Sequence, residues 1–136
     1  MTTFRKVLVA NRGEIAIRIA RSAAEMGVAT VAVYSTDDAQ SLHTTSADEA
    51  CPLNGDGPAA YLDIEQLVET ARASGCDAVH PGYGFLSENA EFARQCEAAG
   101  MAFVGPQPEV LELFGDKTSA RRFAADHEVV VIEGTD

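Results

Sequence analysis

Val7-Leu-Val-Ala10, a helical pattern from Glu14 to about Met26, and Ala29-Thr-Val-Ala-Val-Tyr34 follow one another directly. An unbroken apolar run suits a strand covered on both faces. Strand, helix, strand in about 30 residues is a βαβ unit, which makes its strands parallel and its crossover right-handed. The chain is thereby narrowed to the α/β class, a parallel sheet with helices on its faces. Along the helix, Ile15, Ile19 and Ala23 recur at one helical period, and Gly27 is the expected stop. The opposite stripe is Glu14, Arg18, Arg21 and Glu25. Its two i,i+4 pairs are each worth about 0.2–0.5 kcal/mol. The stripe reads as a solvated face or, because its charges alternate, as a self-complementary protein contact. The first turn, Asn11-Arg-Gly13, lacks the Gly-x-Gly-x-x-Gly fingerprint, so no dinucleotide is predicted. Without those glycines, Asp37 and Asp38, where such a fold holds a ribose, carry no functional signal.

The same alternation continues. Asp48–Leu53 predicts a short third strand, with Pro52 favouring an edge. Asn54–Pro58 reads as a turn. Asp63 and Gln66 have capping-box spacing before a helix packed through Ile64, Leu67, Val68 and Ala71, which Gly75 ends. Cys76–Val79 is the fourth strand. A helix from near Ala90 packs Phe92, Ala93, Cys96 and Ala99 and stops at Gly100; Ala102–Val104 is the fifth strand. A short helix over Pro108–Gly115 and a last one to about Asp126 complete the α/β alternation around a parallel sheet.

A formal net charge of −11 argues against nucleic acid and against an anionic membrane surface, while leaving room for a local phosphate site that needs only a few donors. Cys51, Cys76 and Cys96 are odd in number and widely spaced, so they read as free thiols in a reducing compartment. No metal site is predicted, and His43, in the polar stretch Ser41–Ser46, is expected to be exposed. No apolar run is long enough for a signal segment or a membrane span, and a cytoplasmic location is expected.

Two stretches stand out chemically. His80-Pro-Gly-Tyr-Gly-Phe-Leu-Ser-Glu-Asn89 runs from the fourth strand into a helix N-terminus, the kind of place where open α/β sheets bind ligands. Pro81 stiffens its entry, Tyr83 offers an aromatic face and a hydroxyl, Phe85 and Leu86 can anchor it, and Ser87 or Asn89 can cap the helix. Taken alone it is also compatible with a tight turn that binds nothing. The second is Gly115-Asp-Lys-Thr118, where Lys117 opens a helix against the dipole. A cation kept there suits an anion, which backbone N–H groups would also hold; a solvated surface lysine is the plainer alternative.

With these stretches in hand, the chain resembles the N-terminal domain of biotin carboxylase, of the type found in acyl-CoA carboxylases and, as the less favoured expectation, pyruvate carboxylases. Five stretches carry the resemblance, in order: Ala10-Asn-Arg-Gly-Glu-Ile15, Ala47-Asp-Glu-Ala50, His80–Asn89, Phe103-Val-Gly-Pro106 and Gly115-Asp-Lys117. It implies a Rossmann-like, doubly wound parallel sheet, the pre-ATP-grasp domain, over residues 1–115, and over 116–136 the start of a linker into an ATP-grasp domain not contained here. The family's reaction uses ATP, Mg2+ and bicarbonate to carboxylate biotin on a carrier, for transfer to an acyl-CoA. The resemblance implies that Lys117 contacts ATP phosphates and that His80, Tyr83, Gly84 and Glu88 belong to the active-site loop near biotin. It places Arg21 and Glu25 at a dimer contact, and implies biotin-carrier and carboxyltransferase partners. No catalytic residue and no metal ligand falls within the chain, so it is expected to be inactive alone. Val130 and Glu133 stand where the family usually has prolines. The alternatives are a non-catalytic assembly module using the Glu14–Glu25 face, or the leading domain of another ATP-grasp ligase.

Overall fold

The computed structural model describes residues 4–132. Strand β1 (Lys6–Val9) leads through α1 (Gly13–Glu25) to β2 (Ala29–Tyr34), then through the single-turn helix α2 (His43–Ser46) to β3 (Glu49–Pro52). Helices α3 (Gly57–Ala60) and α4 (Ile64–Ala73) return the chain to β4 (Ala78–His80). After α5 (Ala90–Ala98) come β5 (Ala102–Phe103), α6 (Pro108–Gly115) and α7 (Lys117–Asp126).

All pairings are parallel and the strand order is β3-β2-β1-β4-β5. The order therefore reverses between β1 and β4. The loops leaving these two strands diverge to opposite faces, and their carboxyl ends are where open α/β sheets bind ligands. Alternation along the strands divides the core. Leu8, Val31, Val33 and Val79 pack with Leu67 and Ala71 of α4 and Phe92 and Cys96 of α5. Val7 and Ala78, of the other parity, meet Val28 and Ala23 on the opposite face. Pro52 does lie on an edge strand, where its missing N–H costs no ladder bond.

Several boundaries and one side chain differ from the sequence reading. The fourth strand starts at Ala78 because the Cys76 N–H is engaged in closing α4, bonding to the Ala71 carbonyl at 2.9 Å. His80 is consequently a strand residue, paired with Val9. The turn read over Asn54–Pro58 runs on into α3, with Pro58 in its first turn. His43, expected to be exposed, is 1% exposed. The polar stretch around it folds as one helical turn against β2, and His43 Nε2 donates to the Val33 carbonyl at 3.0 Å. Val130 is fully exposed outside any helix or strand, and Glu133 lies outside the described residues. Among the described residues no helix is long and apolar enough to cross a membrane, and no group of three or more His, Cys, Asp or Glu could hold a metal ion.

Candidate ligand-binding crevice

Asn11 is the first polar residue after β1 and is 2% exposed. Its Nδ2 donates to the carbonyls of Pro81 at 2.7 Å and Tyr83 at 2.8 Å. Its Oδ1 accepts from the Arg12 N–H at 2.9 Å. Two carbonyls on one side and a backbone donor on the other fix the orientation of the amide. The β1 and β4 loops are thus joined through a single side chain, next to the main-chain bond from the Ala10 N–H to the His80 carbonyl.

The β4 loop is held at both ends. At its start, the Gly82 N–H donates to His80 Nδ1 at 3.0 Å, which places the neutral ring's proton on Nε2. Burial pushes the His80 imidazole below its ordinary pKa, in favour of that neutral form. Gly82 has φ +67°, and a Cβ there would lie 2.7 Å from Asn11 Nδ2, so both conformation and space require glycine. At its far end, Leu86 is buried, and Phe85, at φ 43°, sets its ring 5.4 Å from that of Tyr61. Asn89 Oδ1 then caps α5 by accepting from the Phe92 N–H at 2.8 Å. What remains exposed between these anchors is Tyr83, with Gly84 beside it and Glu88 further along.

Arg12 ties the β1 turn in a second direction. Its Nε and Nη2 meet the two carboxylate oxygens of Asp38, each at 2.5 Å. The buried Asp38 also accepts from the Tyr61 hydroxyl at 2.7 Å and from Ser41 Oγ at 3.0 Å. The Arg12 guanidinium, opposing the effect of burial, holds the Asp38 carboxyl well below the usual carboxylate range. Burial, with Asp38 beside it, pushes the Tyr61 hydroxyl up. The acid after β2 that a dinucleotide fold would offer to a ribose is therefore engaged within the protein. None of Asn11, Arg12, Asp38 or Tyr61 stood out as a site residue in the sequence. An Asn directly after an apolar strand run was the available signal for the first. The Asp38–Tyr61 contact has no local signal.

The remaining expected site residues lie apart from this clamp. Lys117 is exposed at the start of α7, and among the described residues its ammonium has no ion-pair or hydrogen-bond partner. Neighbouring Asp116 caps that helix by accepting from the Ser119 N–H at 2.8 Å. Glu88 shares a shallow groove with Arg94, Glu112 and Asp116. Arg21 and Glu25 are exposed on α1. On that face Glu14 and Arg18 approach to 3.7 Å, whereas among the described residues Arg21 and Glu25 form no ion pair. All three cysteines are free, and burial pushes the thiols of Cys76 to about 11 and Cys96 to about 12, so both stay protonated at neutral pH.

A parallel sheet ordered 3-2-1-4-5, with its loops clamped at the switch point, defines a Rossmann-like α/β domain. Residues 3–111 match the family described as "Biotin carboxylase, N-terminal domain". The chain belongs to that family. It is 53% identical to the pyruvate carboxylase of Staphylococcus aureus over 138 aligned positions, covering 100% of this chain and 12% of that protein. The structure of a single-chain, multi-domain long-chain acyl-CoA carboxylase superposes with a TM-score of 0.95 at 57% identity, over 97% of this chain and 13% of that one. The biotin carboxylase domain dimer of Hydrogenobacter thermophilus 2-oxoglutarate carboxylase, in complex with MgADP, ADP and bicarbonate, superposes with a TM-score of 0.93 at 43% identity, over 100% of this chain and 30% of that one. The chain thus spans about an eighth of the first relative's length and under a third of the isolated carboxylase domain.

Proposed function

We propose that this chain is the leading domain of a biotin carboxylase and forms one wall of its active site. Residues 1–115 form the pre-ATP-grasp domain, and 116–136 lead towards an ATP-grasp domain. The observation that carries the reading is the clamped β4 loop, which leaves Tyr83 and Gly84 exposed at the switch point of a chain of this family. An exposed aromatic ring beside a glycine fits a flat, uncharged ring such as the ureido ring of biotin. An exposed ammonium at a helix start, unpaired among the described residues, fits phosphate. On this reading Lys117 holds ATP phosphates, and His80, Tyr83, Gly84 and Glu88 shape the biotin side. When bound, Mg-ATP supplies the activation of bicarbonate. The chain's own part is to bind, orient and enclose.

The exposed α1 face, with Arg21 and Glu25, serves a homodimer contact; carrier and carboxyltransferase parts complete the enzyme, in the cytoplasm. The relatives favour this reading over a free-standing assembly module or another ATP-grasp ligase. They include both acyl-CoA and pyruvate carboxylases. The proposed acceptor is an acyl-CoA, on the higher identity to the long-chain acyl-CoA carboxylase. The test is product formation by the whole protein with acetyl-CoA, longer acyl-CoAs and pyruvate supplied in turn. Carboxylation of an acyl-CoA is expected; carboxylation of pyruvate alone would reassign the acceptor.

A further inference from the structure

We infer that Asn11 is the positioning residue of the crevice, setting the backbone of residues 81–84 and hence the placement of Tyr83 and Gly84. The inference rests on the function proposed above. Asn11 is buried and acts only through the loop. Its two amide hydrogens go to the carbonyls on either side of Gly82, the one residue of the loop with no room for a Cβ against it. Those two bonds fix the direction in which the peptide chain passes the crevice.

The arrangement also closes on itself. Asn11 Oδ1 takes the Arg12 N–H, and the Arg12 guanidinium takes Asp38. Asp38 takes the Tyr61 hydroxyl, and the Tyr61 ring packs on Phe85, the far anchor of the same loop. Both ends of the Tyr83-Gly84 segment are therefore referred to two adjacent residues of the β1 turn. A buried amide needed only to satisfy its own hydrogen bonds could find partners within its own turn. Here all its donors span 70 and 72 residues of sequence to one loop.

The experiment uses the whole protein with free biotin as acceptor. Asn11→Asp keeps shape and the acceptor for the Arg12 N–H but turns a carboxylate oxygen toward two carbonyls. The expected result is a KM for biotin raised about tenfold, with the KM for ATP within about twofold of the unsubstituted enzyme. Gly82→Ala, which pushes on the same contact, is expected to show the same split. Gly100→Ala, at φ +79° with nothing within 4 Å, reproduces the backbone strain without the contact and should not show it. Parallel loss of kcat and of both KM values in all three variants, tracking a fall in Tm, would mean a merely structural role and overturn the inference. So would kinetics of Asn11→Asp equal to those of the unsubstituted protein. If the unsubstituted protein does not carboxylate biotin, the function proposed above has failed. The clamp is then read directly by amide hydrogen exchange. Faster exchange in peptides covering residues 81–87 of Asn11→Asp supports it, and unchanged exchange overturns it.

Discussion

Arg12 and Asp38 form the most heavily partnered ionic contact among the described residues, and the balance of its parts can be measured. The Asp38 side chain is 6% exposed and Arg12 is 41% exposed. Removing the acid leaves a guanidinium that water can still reach. The cost is therefore below the 3–5 kcal/mol of a fully buried pair, at about 1–2 kcal/mol for Asp38→Asn. The pH dependence has a definite sign. The folded carboxyl titrates below its unfolded value, so its contribution is complete above about pH 4 and is lost as pH falls through the folded value. Asp38→Asn should lower the urea midpoint at pH 7 and reduce the difference between the midpoints at pH 7 and pH 3. An unchanged difference would assign the acid sensitivity to other carboxylates. Lys117 makes the opposite case, an exposed charge with no stabilising partner among the described residues. Lys117→Ala should leave Tm within about 1 °C while raising the KM for ATP of the whole enzyme about tenfold or more.

At the scale of elements, caps and hydrophobic periods were readable, and long-range polar contacts were not. Asp63 caps α4 by accepting from the Gln66 N–H, although Gln66 Oε1 takes the Asn54 N–H instead of completing the box, and of Ser87 and Asn89 it is Asn89 that caps α5, accepting from the Phe92 N–H. The stripe Ile64, Leu67, Val68, Ala71 packs inward as its spacing required. The start of β4 slipped because the Schellman-type closure of α4 engages the Cys76 N–H, a main-chain event to which side-chain pattern is blind. His43 was misjudged because polar neighbours hid a ring whose single hydrogen bond reaches across to β2. The β4 loop drew attention through its glycines, but what holds it, Asn11 and Tyr61, comes from distant sequence. Asn89→Ala should cost about 1 kcal/mol, seen as a lower denaturant midpoint with an unchanged m-value. On α1, the absence of an Arg21–Glu25 pair among the described residues leaves both charges available to a second copy. With the proposed dimer contact on α1, substituting both by alanine should weaken self-association of the whole protein in analytical ultracentrifugation, with ATP binding unchanged; unaltered self-association would remove α1 from the contact.

For the whole molecule, topology explains why two loops distant in sequence meet at one edge of the sheet. Parallel order 3-2-1-4-5 brings the ends of β1 and β4 together, and the clamp between them makes a firm wall there. The α/β class followed from the first βαβ unit, whereas the doubly wound order, and with it the switch point, needed the full set of pairings. The most direct test of the account is ATP consumption with bicarbonate present, measured in the whole protein with and without free biotin, beside the 136-residue chain alone. The account predicts biotin-dependent consumption and carboxybiotin formation by the whole protein and none by the chain alone. Turnover of ATP by the whole protein without carboxylation of biotin, or carboxylation by the isolated chain, would contradict it.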